Sequence, residues 1–374
     1  MSISLTPDSL PTADPAVPAV EALQFPLGWL LSVASAPIQY RAINEVVGWG
    51  SDREELRTLA MAFKPALKLA LSQDGEGTWS GSMLTVPNGA RVVGTIPAFR
   101  RLLEYGWDRE SPPLVRARRV LFRLLAEDDD PGQLYELRDS CKGDAELIHR
   151  ARGILREAAA AALAQAGYEG DPRLRGAARR ILGRVDAYLG SPLAEKPWVR
   201  VGNRQVLAAE ACPPSIHVVA MVAHMPLFRS EHHSPVNRLL DHIARPMPRQ
   251  EACQQVGKHV VPQPHLVLGD PLANRNVADS DVPFALFWLE LMARLQFLRR
   301  NDGWLQLYER FLDDRDRDFV WHPHRGMSKP RTDHPDVWAS FPLDDGANGE
   351  DRWSDVTFRL GLIARLLGRA IEPV

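Results

Sequence analysis

Cysteine is scarce in this chain, with three among 374 residues. Cys141, Cys212 and Cys253 are too few and too far apart for a disulfide framework. That usage fits a reducing compartment, and the expected location is the cytoplasm. Net charge is scarce too. The 45 basic side chains face 47 acidic ones, leaving −2, so no global field draws the chain to nucleic acid or to an anionic membrane. No run reaches the roughly 18 uncharged apolar residues of a spanning helix. The most apolar segment, Val282 to Arg300, carries Glu290 and Arg294 within it. It reads as a deeply packed helix or one lying on a membrane surface, which leaves peripheral contact as the only membrane role. The short apolar run Gly28 to Ala36 has no basic segment before it, the first positive side chain being Arg41, which argues against an export signal. Gly-x-Ser-x-Gly, a Walker loop, the Rossmann glycine triplet and His-Glu-x-x-His are all missing, which removes the common nucleophile, phosphate-loop, dinucleotide and metalloprotease readings. Alternating strand patterns are rare; "RVVGTI" (Arg91 to Ile96) is the best of them.

What is present is helix. Hydrophobic residues make up 45% of the chain, ample for a buried core. Residues 1–20 hold Pro7, Pro11, Pro15 and Pro18 among small and polar residues and read as a disordered N-terminal tail. From there to Leu193, apolar residues recur at spacings of three and four in "REELRTLAMAFKPALKLALSQ", "PLVRARRVLFRLLAE", "DAELIHRARGILREAAAAALAQAG" and "DPRLRGAARRILGRVDAYLG". The last two end in Gly167 and Gly190, and the last begins with Asp171-Pro172, an N-cap followed by proline at the first helical position. Residues 193–280 are rich in proline and hold six of the eleven histidines between His217 and His259. They read as irregular connections around one buried helix, "PSIHVVAMVAHMPLF". Two amphipathic helices follow, Val282 to Arg300 and Trp353 to Ile371, separated by a long polar loop over 312–352. The whole of 21–374 reads as one domain.

Two internal echoes stand out. "PPLVRARRVLFRLL" from Pro112 and "PRLRGAARRILGRV" from Pro172 match in proline, in Leu114/Leu174, in Ala117/Ala177 and in Arg119/Arg179. "LSQDGEGTW" (Leu71 to Trp79) has a looser counterpart in "QFLRRNDGW" (Gln296 to Trp304), each after an apolar helix and each followed later by a threonine near a helix start, Thr95 or Thr357. In the first stretch the Gln73 amide can serve helix-end carbonyls, Gly77 permits close backbone approach, and Trp79 folds back as an apolar plug with one N–H to satisfy. It reads as a fastening between helices.

The spacing Gln73-x-x-x-Gly77-x-Trp79, echoed at Gln296, Gly303 and Trp304, resembles the repeated Gln–Trp motif of the squalene-hopene cyclase, terpenoid cyclase and protein prenyltransferase superfamily. The resemblance covers 25–125 most fully, with weaker matches at 165–190 and 281–371. It implies an all-α fold, an α/α toroid of helical hairpins forming a single or partial barrel with long irregular loops. It does not bring that superfamily's chemistry with it. The Asp-x-Asp-Asp acid of the cyclases is absent; "AEDDDPG" (Ala126 to Gly132) reads as a solvated turn and "LDDRDRDF" (Leu312 to Phe319) as a charge-paired surface. Asp139-Ser140-Cys141 matches the Asp-x-Cys element of the prenyltransferase zinc site, but the surrounding family residues are missing and His149 is too near to be its distant histidine.

The residues offer a different metal reading. Cys212 with His217 and Cys253 with His259 form two Cys/His pairs, each preceded by Glu-Ala, and four such ligands suit tetrahedral zinc; no other cofactor is expected. His322 and His324 alternate in "WHPHRG" as strand ligands would. Two functions follow. The favoured one is a non-catalytic accessory or scaffold protein that binds a protein partner or an apolar ligand, with Trp321, Trp338 and Phe341 in the polar loop as the interface. The alternative is an enzyme acting on an isoprenoid-like substrate in a central cavity lined by tryptophan. Without the acid motif or the zinc triad, the chain leans away from being an enzyme.

Overall fold

The computed structural model describes residues 22–49, 54–87, 92–126, 130–273, 275–323, 325, 327, 330–332, 334–344 and 352–374. The proline-rich tail, 1–20, lies outside them. Among the described residues the chain forms sixteen α-helices. The first half holds α1 (Leu27–Val33), α2 (Ala36–Arg41), α3 (Glu54–Met61), α4 (Lys64–Leu71), α5 (Thr95–Glu104), α6 (Pro112–Leu124), α7 (Arg138–Cys141), α8 (Ala145–Gln165) and α9 (Pro172–Leu189). After them come α10 (Ile216–Ala223), α11 (Pro226–Glu231), α12 (His233–Ile243), α13 (Arg275–Ser280), α14 (Val282–Arg294), α15 (Asp302–Asp313) and α16 (Ser354–Leu366). A π-helical turn, Ala42–Val47, continues α2. Proline sets several of these starts. Lys64-Pro65 separates α3 from α4, and Pro226 ends the run that begins at α10, so two stretches that read as single helices are each divided.

The innermost helices are buried along most of their length, charged side chains of α5 and α16 included. Residues Thr95 to Leu102 of α5, all of α10 and Ser354 to Ala364 of α16 are buried. So are most of α14 and the alanine-rich run Ala158–Ala164 of α8. Small side chains on α8 allow close helix axes, and it packs against α5, α6, α9 and α10. Contacts continue from α10 to α14, from α14 to α16, and from α16 to the π turn after α2. Helices with one apolar stripe, including the arginine-bearing α6 and α9, lie outside them. The two ends of the described chain meet where β1 (Leu23–Phe25) pairs in parallel with β6 (Ile371–Pro373).

The segment 193–280 is more regular than its composition suggests. It contains β2 (Trp198–Val201), β3 (Arg204–Leu207), β4 (Cys253–Val256) and β5 (His259–Pro262), joined in one sheet in that order, as well as α10 to α12. The hairpins turn at Gly202 and Gly257, both at positive φ, where glycine carries no steric cost. Four-residue strands give too little alternation to read. "RVVGTI" is corrected the other way, because Thr95 and Ile96 open α5 and Val92 and Val93 are in no strand.

The helix fastening has definite geometry. Gln73 donates to the carbonyls of Gly77 at 3.2 Å and of Pro113, at the start of α6, at 2.8 Å, and accepts from Arg116 Nε. The buried Trp79 indole donates to the Leu69 carbonyl in the last turn of α4, while its backbone N–H donates to Thr95 Oγ1 at 3.1 Å. The same turn recurs, but not at Gln296 to Trp304. Asp74 N–H donates to Thr78 O and Thr78 N–H to Asp74 Oδ1; Asp316 N–H donates to Val320 O and Val320 N–H to Asp316 Oδ1. Gly77 at φ +85° is answered by Phe319 at +62°, and Trp321 N–H donates to Thr357 Oγ1 at 3.0 Å. Trp304 instead occupies the first turn of α15, its N–H on Asn301 Oδ1 and its indole on Asp270, and Gln296 is a positive-φ residue beyond α14. The second copy is hidden because a phenylalanine takes the glycine's place.

Thr357→Val is expected to leave the buried Trp321 N–H without its acceptor and to cost about 1–3 kcal/mol, whereas Thr357→Ser should restore most of it. Urea unfolding of both variants checks this; equal stabilities would mean that the hydroxyl does not hold the turn.

Candidate functional site

The inner helices meet in charge rather than in an apolar cavity. Arg359 on α16 reaches Glu104 on α5 at 2.5 Å and Glu290 on α14 at 2.6 Å. Arg41 on α2 also pairs with Glu104, and Arg294 with Glu290. Gln165 on α8 donates to Glu104 and accepts from Arg100 Nε. Burial favours neutral carboxyls at Glu104 and Glu290, yet the flanking guanidiniums outweigh it and hold both below the ordinary value.

This network positions a segment of the polar loop. Along 336–342 alternate backbone carbonyls are bound: Asp336 by Arg100, Trp338 and Pro342 by Arg101, and Ser340 by Arg359. The N–H groups of Leu343 and Asp344 donate to Asp355 at 3.0 Å each. Trp321 and Phe341 are therefore buried, and Trp338 lies half-buried under the Arg101 guanidinium, 5.2 Å from its ring centroid. The expected aromatic interface is corrected at Trp321 and Phe341, which are buried and pack the loop onto the helices; Trp338 keeps part of its ring exposed and lines a surface cleft.

The anchored segment carries His334 and Asp336 to the mouth of a cleft of about 490 Å³, walled by Ile96, Pro97, Ile154 and Pro264. His217, in the first turn of α10, and His265 also line it, as do Arg100 and Asp281. Ser215 caps α10 by accepting from Val218 N–H and binds Glu157 through its hydroxyl, and Ile216 N–H donates to the His265 carbonyl, which fixes His217 beside His265. Their rings stack at 6.2 Å. The His334 ring stacks on Phe284 at 4.7 Å, and the His334 backbone N–H donates to Thr332 Oγ1, whose own hydroxyl donates to Asp281.

Asp336 sits between two imidazoles. Its Oδ1 is 3.6 Å from His217 Nδ1 and its Oδ2 3.7 Å from His334 Nδ1, a few tenths beyond hydrogen-bond length. Burial favours the neutral acid, but His217, His334 and Arg100 bring Asp336 below the usual carboxylate range. Burial lowers His265 to about 3, with His217 adding to the effect, and burial also lowers His334 against the pull of Asp336 and Asp281. Near neutral pH an ionised carboxylate at Asp336 thus lies beside the neutral rings of His334 and His265. The backbone N–H of Asp336 donates to His334 Nδ1 at 3.4 Å, which favours the His334 proton on Nε2 against the pull of the Asp336 carboxylate, 3.7 Å from the same Nδ1. The Asp336 carboxylate favours Nδ1–H on His217, which leaves Nε2 as an acceptor whenever the ring is neutral. The cleft then holds one imidazole that accepts and one that donates.

Of the proposed zinc ligands, only His217 lies here. Cys212 borders an adjacent cleft beside Glu157 and Arg184, its thiol pushed up by burial and by Glu157. Cys253 is buried on β4 opposite Pro262, and His259 on β5 faces Asp144 at 3.5 Å. Among the described residues no group of three or more His, Cys, Asp and Glu side chains is arranged to hold a metal ion. His322 is half-buried in its loop, and His324 lies outside the described residues. His265, His334 and Asp336 carry no spacing signal, since they come from two loops remote in sequence from α10. No helix among the described residues is long and apolar enough to cross a membrane. Compared with known proteins, the chain matches no protein-family model, no curated protein and no solved structure.

Proposed function

We propose that the chain is a single closed α/α-toroid-like domain whose cleft binds a small polar ligand and moves a proton on it, with His217 as general base and His334 as hydrogen-bond donor. The carboxylate of Asp336 between the two imidazoles carries this reading. A carboxylate that fixes the tautomer of a neutral imidazole is the arrangement proton abstraction needs, and such contacts tighten when ligand binds. Ring closure is supported by the succession of inner helices and by the pairing of β1 with β6. An isoprenoid ligand along the axis would meet Arg41, Glu104, Glu290 and Arg359, an unfavourable environment for an apolar chain. The accessory reading keeps only Trp338 of its three aromatic residues at the surface.

The test is a thermal-shift screen of small amino acids, hydroxy acids and sugars, followed by titration of each hit against Asp336→Asn and His217→Asn. A hit that binds Asp336→Asn about tenfold or more weakly, and whose turnover disappears in His217→Asn, is the expected outcome. Hits that bind both variants as they bind the unaltered chain would sink the proposal. The ¹⁵N shifts of His217 provide an independent readout, expected to report Nδ1–H in the unaltered chain and a tautomer mixture in Asp336→Asn.

A further inference from the structure

A second cleft lies on the outer surface, between the two helices that echo each other in sequence. It has a volume of about 540 Å³ and is lined by Arg118, Arg119, Arg123 and Phe122 of α6, by Arg173 of α9, and by Tyr168 and Asp171. Four guanidiniums face a single carboxylate among these lining residues. Asp171 is engaged by Arg173 at 2.8 Å, and Glu110, just outside, by Arg118 at 3.2 Å. Arg119 and Arg123 are exposed and make no ion pair with a described residue. Like charges at this i,i+4 spacing destabilise a helix by a few tenths of a kcal/mol, a cost that an anion bound against the pair would relieve.

Aromatic rings set the other guanidiniums in place. Arg173 lies 3.8 Å from the Phe122 ring centroid; Arg118 lies 5.2 Å from that of Tyr168 and donates to its hydroxyl at 2.9 Å. Stacking restricts the planar fork to a few orientations and reduces the entropy lost when an anion binds. The chain as a whole is slightly acidic, so this concentration of positive charge is local.

We infer that the Arg118–Arg119–Arg123–Arg173 cleft binds a soluble ligand carrying phosphoryl groups. Guanidinium forks pair bidentately with phosphate oxygens, and an excess of positive lining charge calls for a multiply charged anion. The inference is independent of the histidine cleft, which shares none of these residues.

Calorimetric titration of the full chain with inorganic tripolyphosphate tests it, beside citrate as a polycarboxylate and vesicles of phosphatidylglycerol. The expected result is saturable tripolyphosphate binding, weakened about tenfold or more in Arg119→Ala/Arg123→Ala and unchanged in Arg200→Ala on β2. Both altered side chains are exposed, so the double variant should fold, and its circular dichroism would show that it does. Absence of saturable binding overturns the inference, as does equal weakening in Arg200→Ala. Citrate binding of equal strength would overturn the phosphoryl assignment, and binding to vesicles without binding to the free anion would overturn the soluble source.

Discussion

Arg359→Leu should lower the free energy of unfolding by about 3–5 kcal/mol, the loss expected when one partner of a buried ion pair is removed. The side chain is only 5% exposed, and it binds Glu104, Glu290 and the Ser340 carbonyl. Leucine fills much of the space but leaves Glu104 to Arg41 and Gln165, and Glu290 to Arg294, with two carboxylates repelling across the gap. The pH dependence separates charge from packing. Glu104 and Glu290 titrate below their ordinary value of 4.5 in the folded chain, so their contribution is present above that value and is lost as pH falls through the folded pKa. Without Arg359 both carboxyls protonate more readily in the folded state. The stability difference should therefore be largest near neutral pH and smaller at about pH 4, as urea unfolding at both values would show. A difference that does not change with pH would mean that lost packing dominates.

The same variant bears on the cleft. Arg359 holds the Ser340 carbonyl, Arg101 those of Trp338 and Pro342, and Arg100 that of Asp336. The segment that presents Asp336 to His217 is thus tied to the buried ion-pair network, and Arg100 joins them through Gln165. Nothing in the polar loop's own sequence announces this, because its ligands are arginines on α5 and α16 and the groups they bind are backbone carbonyls. Composition marks the loop as polar and surface-exposed. Trp321, Val337 and Phe341 are buried all the same, since their carbonyl and N–H neighbours find internal partners.

Local regularities were legible where they depend on few residues. Asp171-Pro172 does open α9, with the Asp171 side chain accepting from Arg173 N–H, and the helical periods before Leu193 do mark helices. Strands of four residues were not legible, nor were helix divisions at single prolines. The histidine cleft was invisible because it joins the first turn of α10 to loops about 48 and 117 residues further along, and only long-range packing brings His217, His265 and His334 together. Cys212 and Cys253 drew attention through sequence proximity to histidines, yet the sheet carries Cys253 and His259 along opposite strands, whose registers pair Cys253 with Pro262 and His259 with Val256.

Gly77→Ala is expected to cost about 3 kcal/mol, combining roughly 1–2 for an L side chain in the left-handed region with 1 or more for overpacking. Gly77 lies at φ +85°, and a Cβ there would stand 2.9 Å from both the carbonyl carbon and oxygen of Arg116. Those are backbone atoms of α6, so no side-chain rotation relieves the contact. Relief requires α6 to move away from the turn, which would stretch the Gln73 amide's bond to the Pro113 carbonyl and Arg116's bond to Gln73. Phe319 shows that the dihedral alone is tolerable, since a phenylalanine holds φ +62° at the matching position of the second turn. What distinguishes Gly77 is the approach of α6. Gly81 serves as the control, being at φ +64° with nothing within 4 Å of its added Cβ. Gly81→Ala should therefore lose only the conformational part, about 1–2 kcal/mol. Chemical unfolding of the two variants side by side measures the steric share directly. Equal losses would mean that the dihedral strains both turns alike and that close packing of the turn on α6 contributes nothing.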